Sequence, residues 1–211
     1  MNTSMVRPAI LLLLVMTLIT GIAYPLLITG IAKVAFADEA AGSLISRDGK
    51  PVASRLIGQS FSDPKYFWSR PSATAPQPYN GTASGGSNQG PLNPALADAV
   101  KQRITARRVA DPGNTQPVPI DLVTASASGL DPHISLAGAA YQVGRVARAR
   151  NLSVEDVQRL VSAHIERPTL GFIGESRVNV VELNLALDSV APDHARADTS
   201  GSAPGSGMPP R

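Results

Sequence analysis

Between Pro8 and Ala32 the chain runs for 25 residues without a charge, PAILLLLVMTLITGIAYPLLITGIA. At about 1.5 Å per helical residue this run outreaches a hydrocarbon layer roughly 30 Å thick. It predicts one membrane-spanning helix over residues 8–32, after a short N-terminal segment (1–7) and before a juncture (33–42). In lipid each peptide group must be paired within the helix, and Pro25 has no N–H to give. Gly21, Thr20 and Thr29 lie near that interruption. Two readings stay open: a helix that needs a protein neighbour at Gly21 and Pro25, or an isolated anchor with ordinary membrane glycine and proline. The small residues of AFA, Ala35 to Ala37, also fit the cleavage site of an export signal. The apolar run is far longer than the roughly 7–15 residues of such a signal, so a retained helix is expected. Arg7 precedes the run, while Lys33 after it is offset by Asp38 and Glu39. That slight bias puts the N-terminus in the cytoplasm and the rest of the chain outside.

Past the juncture the period shortens. GSLISRDGKPVASRLI places two apolar stretches around Asp48-Gly49, predicting a hairpin from Ser43 to Ile57. Pro94 opens a helical pattern to about Val109, with Leu96, Val100 and Ile104 on one side and Lys101, Arg103, Arg107 and Arg108 as a solvated face. In HISLAGAAYQVGRVARAR, Leu136, Ala140, Val143 and Ala147 form a stripe at helical spacing. NLSVEDVQRLVSAHIE supplies another helix, capped by Ser153 with Asp156 three positions on. After turns at Gly171 and Gly174, Val181, Leu183, Leu185 and Leu187 alternate as a half-buried strand returning beside the hairpin. The fold class is therefore α+β: one N-terminal transmembrane helix, then a small mixed domain over residues 43–188 with a short sheet covered by helices. Residues 189–211 have little to bury and read as a disordered tail.

Charge removes one class of function. Of 19 basic residues, Arg7 and Lys33 flank the apolar run, leaving 17 against 16 acidic ones from Asp38 onward. A near-neutral domain has no broad field for a polyanion, so the arginines at 145, 148, 150 and 159 around a helix-turn-helix-like joint do not make a nucleic-acid site. There is no cysteine, and the three histidines have no short i,i+4 pair. Neither a thiol nucleophile nor a metal cluster is expected.

Three stretches could carry chemistry or contacts. FSDPKYFWSRPSA gathers Phe61, Tyr66, Phe67 and Trp68 in a chain with nine aromatics; the rings form the main hydrophobic cluster or face a partner. PQPYNGTASGGSNQGPLNP is compositionally a disordered segment or an ordered loop in which Tyr79 and several amides bind backbone or a partner. It is no phosphate loop, because no Lys-Ser/Thr pair follows its glycines. GLDPHIS presents His133 near Ser126, Ser128 and Asp131. A membrane-anchored envelope hydrolase would need one of those serines beside His133, with a carboxylate on the opposite nitrogen, yet neither serine sits in a nucleophile-elbow pattern. The structural alternative has Asp131 capping a helix with Pro132 in its first turn.

These stretches together resemble the C subunit of the bacterial high-affinity potassium-transporting ATPase, the KdpC family, over roughly residues 7–188. RPAILLLLVMTLITGIAYPLLITGIA is similar to that family's membrane segment, and GSLI and ASRLIGQSF to its first outer stretch, with Ala53 where the family has glycine. YFWSRPSA, YNGTASGGSNQGPLNP, PVPIDLVTASASGLDPHIS and GESRVNVVELNLALD resemble its central signatures in order. The resemblance implies a single-span, non-catalytic subunit of the cytoplasmic (inner) membrane, set in lipid. Its partners are a channel-like A subunit that carries potassium, a P-type ATPase B subunit and a small F subunit. The complex uses ATP, Mg and potassium; no cofactor is expected on this chain. Residues 79–93 and 124–135 become shape-determining or partner-facing segments. Gly21 and Pro25 become candidates for docking in the membrane, and Tyr66, Trp68, Tyr79, Asn80, Asn88, Asp131 and His133 candidates for the outer face.

Overall fold

The computed structural model describes residues 3–190; the predicted tail lies outside the described residues except for Ser189 and Val190. The chain divides into two compact units at Ser54/Arg55.

In the first unit, α1 (Thr3–Leu18) and α2 (Tyr24–Ala35) are joined by a π-helical turn at Ile19–Ala23. Pro25 accounts for the wide turn: its ring would press on the carbonyl four residues back, and it offers no N–H. The Tyr24 N–H bonds Ile19 O, five residues back, and the Thr20 hydroxyl donates to Met16 O at 2.7 Å. Met5–Ala35 is long and apolar enough to cross a membrane, and none of its apolar window is buried. A short helix α3 (Ala37–Ala40) leads to strands β1 (Leu44–Arg47) and β2 (Lys50–Ser54). Asp48 and Gly49 take φ of 52° and 73° and make the expected turn.

The second unit contains α4 (Pro94–Ala110), β3 (His133–Ser135), α5 (Leu136–Arg150), α6 (Val154–Ala163), β4 (Ile165–Glu166), β5 (Arg177–Asn179) and α7 (Val180–Val190). Its antiparallel sheet has the order β3-β5-β4, with Ile134 opposite Val178 and Val178 opposite Ile165. Phe67, Leu122, Ile134, Ala139, Val146, Val157, Val178, Val180, Leu183 and Leu187 close the core. The α+β class holds, with small antiparallel sheets rather than one.

Four local expectations are corrected. The alternation at 181–187 is a helix: Val180, Leu183, Asn184 and Leu187 also match a helical face and are buried together, while Asn179 Oδ1 accepts from the N–H groups of Val181 and Glu182 and stops the strand. Consequently, among the described residues, β1 and β2 form a two-stranded sheet of their own. Asp131 and Pro132 do not start a helix, because His133–Ser135 is taken by β5; Ser135 is the cap, accepting from Gly138 N at 2.9 Å. The α5 stripe is also displaced. Leu136 and Ala140 are exposed, and Ala139, Val143, Val146 and Ala147 face the core beside buried Gln142 and Arg145.

Candidate functional site

Residues 67–72 belong to no helix or strand, yet Phe67 is fully buried and its backbone must find partners. Two buried amides act in place of neighbouring strands. The Phe67 N–H donates to Asn184 Oδ1 at 2.8 Å, and Asn184 Nδ2 returns a bond to Phe67 O at 2.9 Å. Trp68 and Gln142 exchange the same pair at 2.8 and 3.1 Å. Arg145 donates to Tyr66 O at 3.0 Å and to Pro64 O. Two guanidinium groups lie over the Trp68 ring, Arg145 at 4.3 Å and Arg107 at 4.9 Å from its centroid, both within cation–π range. Burial lowers both arginines to about 10, so they keep their charge near neutral pH. The basic face predicted for α4 is thus split: Arg107 also donates to Ser69 O and Arg103 to Val123 O, while Lys101 and Arg108 are exposed.

The 79–90 loop is ordered by the 124–131 loop. Gly85 N and the Ser84 hydroxyl both donate to Ser128 O, and the Ser72 hydroxyl donates to Gly129 O at 2.7 Å. Gly129 is required here: it takes φ +68°, and a Cβ would meet Gly85 O at 2.8 Å. Tyr79 closes the other side, its hydroxyl donating to Arg70 O at 2.5 Å. Burial pushes that phenol up to about 12, which keeps the donor protonated.

Beyond this wall a chain of ionisable groups crosses the sheet. Arg70 meets Asp131 at 3.2 Å, Asp131 meets His133 Nδ1 at 3.0 Å, His133 Nε2 meets Glu166 at 3.3 Å, and Glu166 meets Arg177 at 2.9 Å. A cavity of about 320 Å³ opens beside Arg70, Asp131, His133 and Arg177. Burial alone would push the Asp131 carboxyl up; the hydrogen bonds from His133 and the charges of His133 and Arg70 outweigh it and hold the group below its ordinary 3.8. Stabilisation from a depressed carboxylate is present above its unfolded pKa and is lost as pH falls through the folded one. In thermal unfolding followed against pH, the wild-type chain should therefore exceed Asp131→Asn near neutrality and lose that lead below the ordinary value of 3.8. A lead unchanged into full acid would remove Asp131 from the ionic chain.

The predicted site residues fall into separate places. Gly21 lies in the π-helical turn and Pro25 is the second residue of α2. Tyr66 donates to Asp188 at 3.1 Å and carries Arg150 over its ring at 4.9 Å. Asn80 is turned onto its own loop, bonding Ala75 O and the Thr82 N–H. Asn88 is exposed with φ 51°. Asp131 and His133 bond each other directly, and Tyr79 is linked to them through Arg70. Both His133 nitrogens face carboxylates, and the Ser128 oxygen accepts from Leu130 N at 3.1 Å, so the arrangement offers no free base to Ser128. Among the described residues no group of three or more His, Cys, Asp or Glu is placed to hold a metal ion. Sequence reasoning missed Gln142, Arg145 and Asn184. The available signal was a polar side chain recurring on an otherwise apolar helical face.

The family model described as KdpC, K+-transporting ATPase, c chain, matches residues 6–189. A potassium-transporting ATPase KdpC subunit of Polaromonas naphthalenivorans is 64% identical over 91% of this chain and 98% of its own length. Proteins of the same name from Variovorax paradoxus and Methylococcus capsulatus are 63% and 62% identical, over 89% and 87% of this chain and 97% of each relative.

Proposed function

The chain belongs to the KdpC family, the c chain of the K+-transporting ATPase, and from that premise we propose that it is a non-catalytic accessory subunit of an ATP-driven potassium uptake complex. It supports assembly and high-affinity transport through its membrane helix and its outer domain. The protein crosses the cytoplasmic membrane once, N-terminus inside, with the domain over residues 43–188 on the outer side. Its partners are the A-type potassium-translocating subunit, the B-type ATPase subunit and the small F-type subunit; ATP, Mg and potassium are handled by the complex. The carrying observation is that one match, residues 6–189, takes in the apolar helix and the folded unit together.

The details support an adaptor. A Cβ added at Gly21 would meet only Thr17 Cγ2, at 3.8 Å; the chain's own packing does not require the glycine, which leaves a place where a neighbouring helix can come close. Tyr66, Trp68, Tyr79, Asn80, Asn88, Asp131 and His133 are the outer-face contact candidates. The carboxylates on both His133 nitrogens count against the hydrolase reading.

Growth at limiting potassium tests the role. In cells that depend on this complex, removal of the chain should abolish growth and the full chain should restore it. Growth indifferent to its removal would refute the role.

A further inference from the structure

The turn between β4 and β5 carries apolar side chains that nothing in the fold uses. Thr169 and Ile173 exchange both backbone hydrogen bonds at 2.9 Å, and Gly171 N donates to Pro168 O at 3.0 Å, so the turn is closed by its own main chain. Leu170 sits at φ 55°, followed by Gly171 at 83°. Such a position ordinarily takes Asn or Asp, and a branched apolar residue there is uncommon. Leu170 is 78% exposed, Phe172 77% and Ile173 54%. A strained backbone presenting greasy side chains to water is a feature that folding alone does not reward.

Charge and area narrow the occupant. Pro168 to Gly174 carries no charge, and its flanks, Arg167 and Glu175, have opposite signs. With 17 basic against 16 acidic residues from Asp38 onward, there is no electrostatic pull toward an anionic bilayer surface. An aromatic side chain buries roughly 150–250 Å², so one phenylalanine and two aliphatic residues fall well short of the roughly 1,600 Å² of a stable complex. The patch cannot hold a free protein or a second copy by itself. It can add to a partner already kept close by the membrane helix, because tethering raises the effective concentration.

Resting on the function proposed above, we propose that residues 168–174 form a docking knob that seats in an apolar pocket on another protein subunit of the same membrane complex. Leu170, Phe172 and Ile173 fill the pocket, and Arg167 and Glu175 form its polar rim.

The test uses the full chain in membranes with its companions. A photo-reactive phenylalanine analogue at position 172 should give one cross-linked product with a single different subunit. Leu170→Asn with Phe172→Ser keeps the left-handed turn and its main-chain bonds, so the chain's thermal unfolding should be unchanged. The companions recovered with it in mild detergent should fall by about tenfold, the loss expected of hot-spot side chains. Cross-linking to lipid alone, to a second copy or to nothing, with companions recovered as for wild type, overturns the knob and leaves the subunit role intact. A wild-type chain that brings no companions overturns both.

Discussion

Asn184→Ala should destabilise the unit from Arg55 onward by ~4 kcal/mol, through two unpaired buried backbone groups at about 1–3 kcal/mol each and a small cavity. For a domain of this size that corresponds to a fall on the order of 10 °C in thermal midpoint. Asn184 is 2% exposed and bonds both the N–H and the carbonyl of Phe67. No strand is available to take over, and water does not reach a fully buried Phe67. Asn80→Ala provides the contrast: its bonds lie in an exposed loop, and its loss should stay near ~1 kcal/mol. Equal effects from the two would show that the amide pairing of residues 67 and 68 is not what holds that segment.

Deletion of residues 8–32 should have the second large effect, on assembly rather than folding. Leu12, Leu13 and Leu26 are 61%, 66% and 68% exposed, and each such side chain gains about 1.5–3 kcal/mol on leaving water. Over the whole run that gain fixes the chain in lipid, while the core of the second unit draws on none of these residues. The shortened chain should keep the circular dichroism of its folded unit, leave the membrane fraction and fail to restore growth at limiting potassium. Full restoration by the shortened chain would make the helix dispensable.

The parts legible in the sequence were those set by local chemistry. An uncharged 25-residue run, Asp48-Gly49 at a hairpin tip, Pro94 in the first turn of α4 and Ser153 before α6 each act within a few residues. The C-terminal strand expectation failed because Val181, Leu183, Leu185 and Leu187 satisfy a period of two while Val180, Leu183, Asn184 and Leu187 satisfy a helix. Tertiary burial and the Asn179 cap decided between them. The start of α5 failed for a related reason: the Asp131-Pro132 signal was overridden by pairing with residues about 45 positions away, at the short length a three-residue strand allows. Residue type alone singles out Trp68, Tyr79, Asp131 and His133 as candidates. Residue type does not show that Arg107 and Arg145 lie over Trp68 or that Gln142 and Asn184 replace a strand, since those partners lie 39 to 117 residues away.

The central claim is that an apolar helix and an interlocked domain join this chain to other membrane proteins in a potassium-transporting complex. The most direct measurement is to purify the full chain in mild detergent through a tag at its C-terminal end and identify what comes with it. The account predicts the A-type and B-type subunits in constant proportion to the chain, lost when residues 8–32 are deleted. A full-length chain that elutes alone, or whose companions persist without the helix, would contradict it.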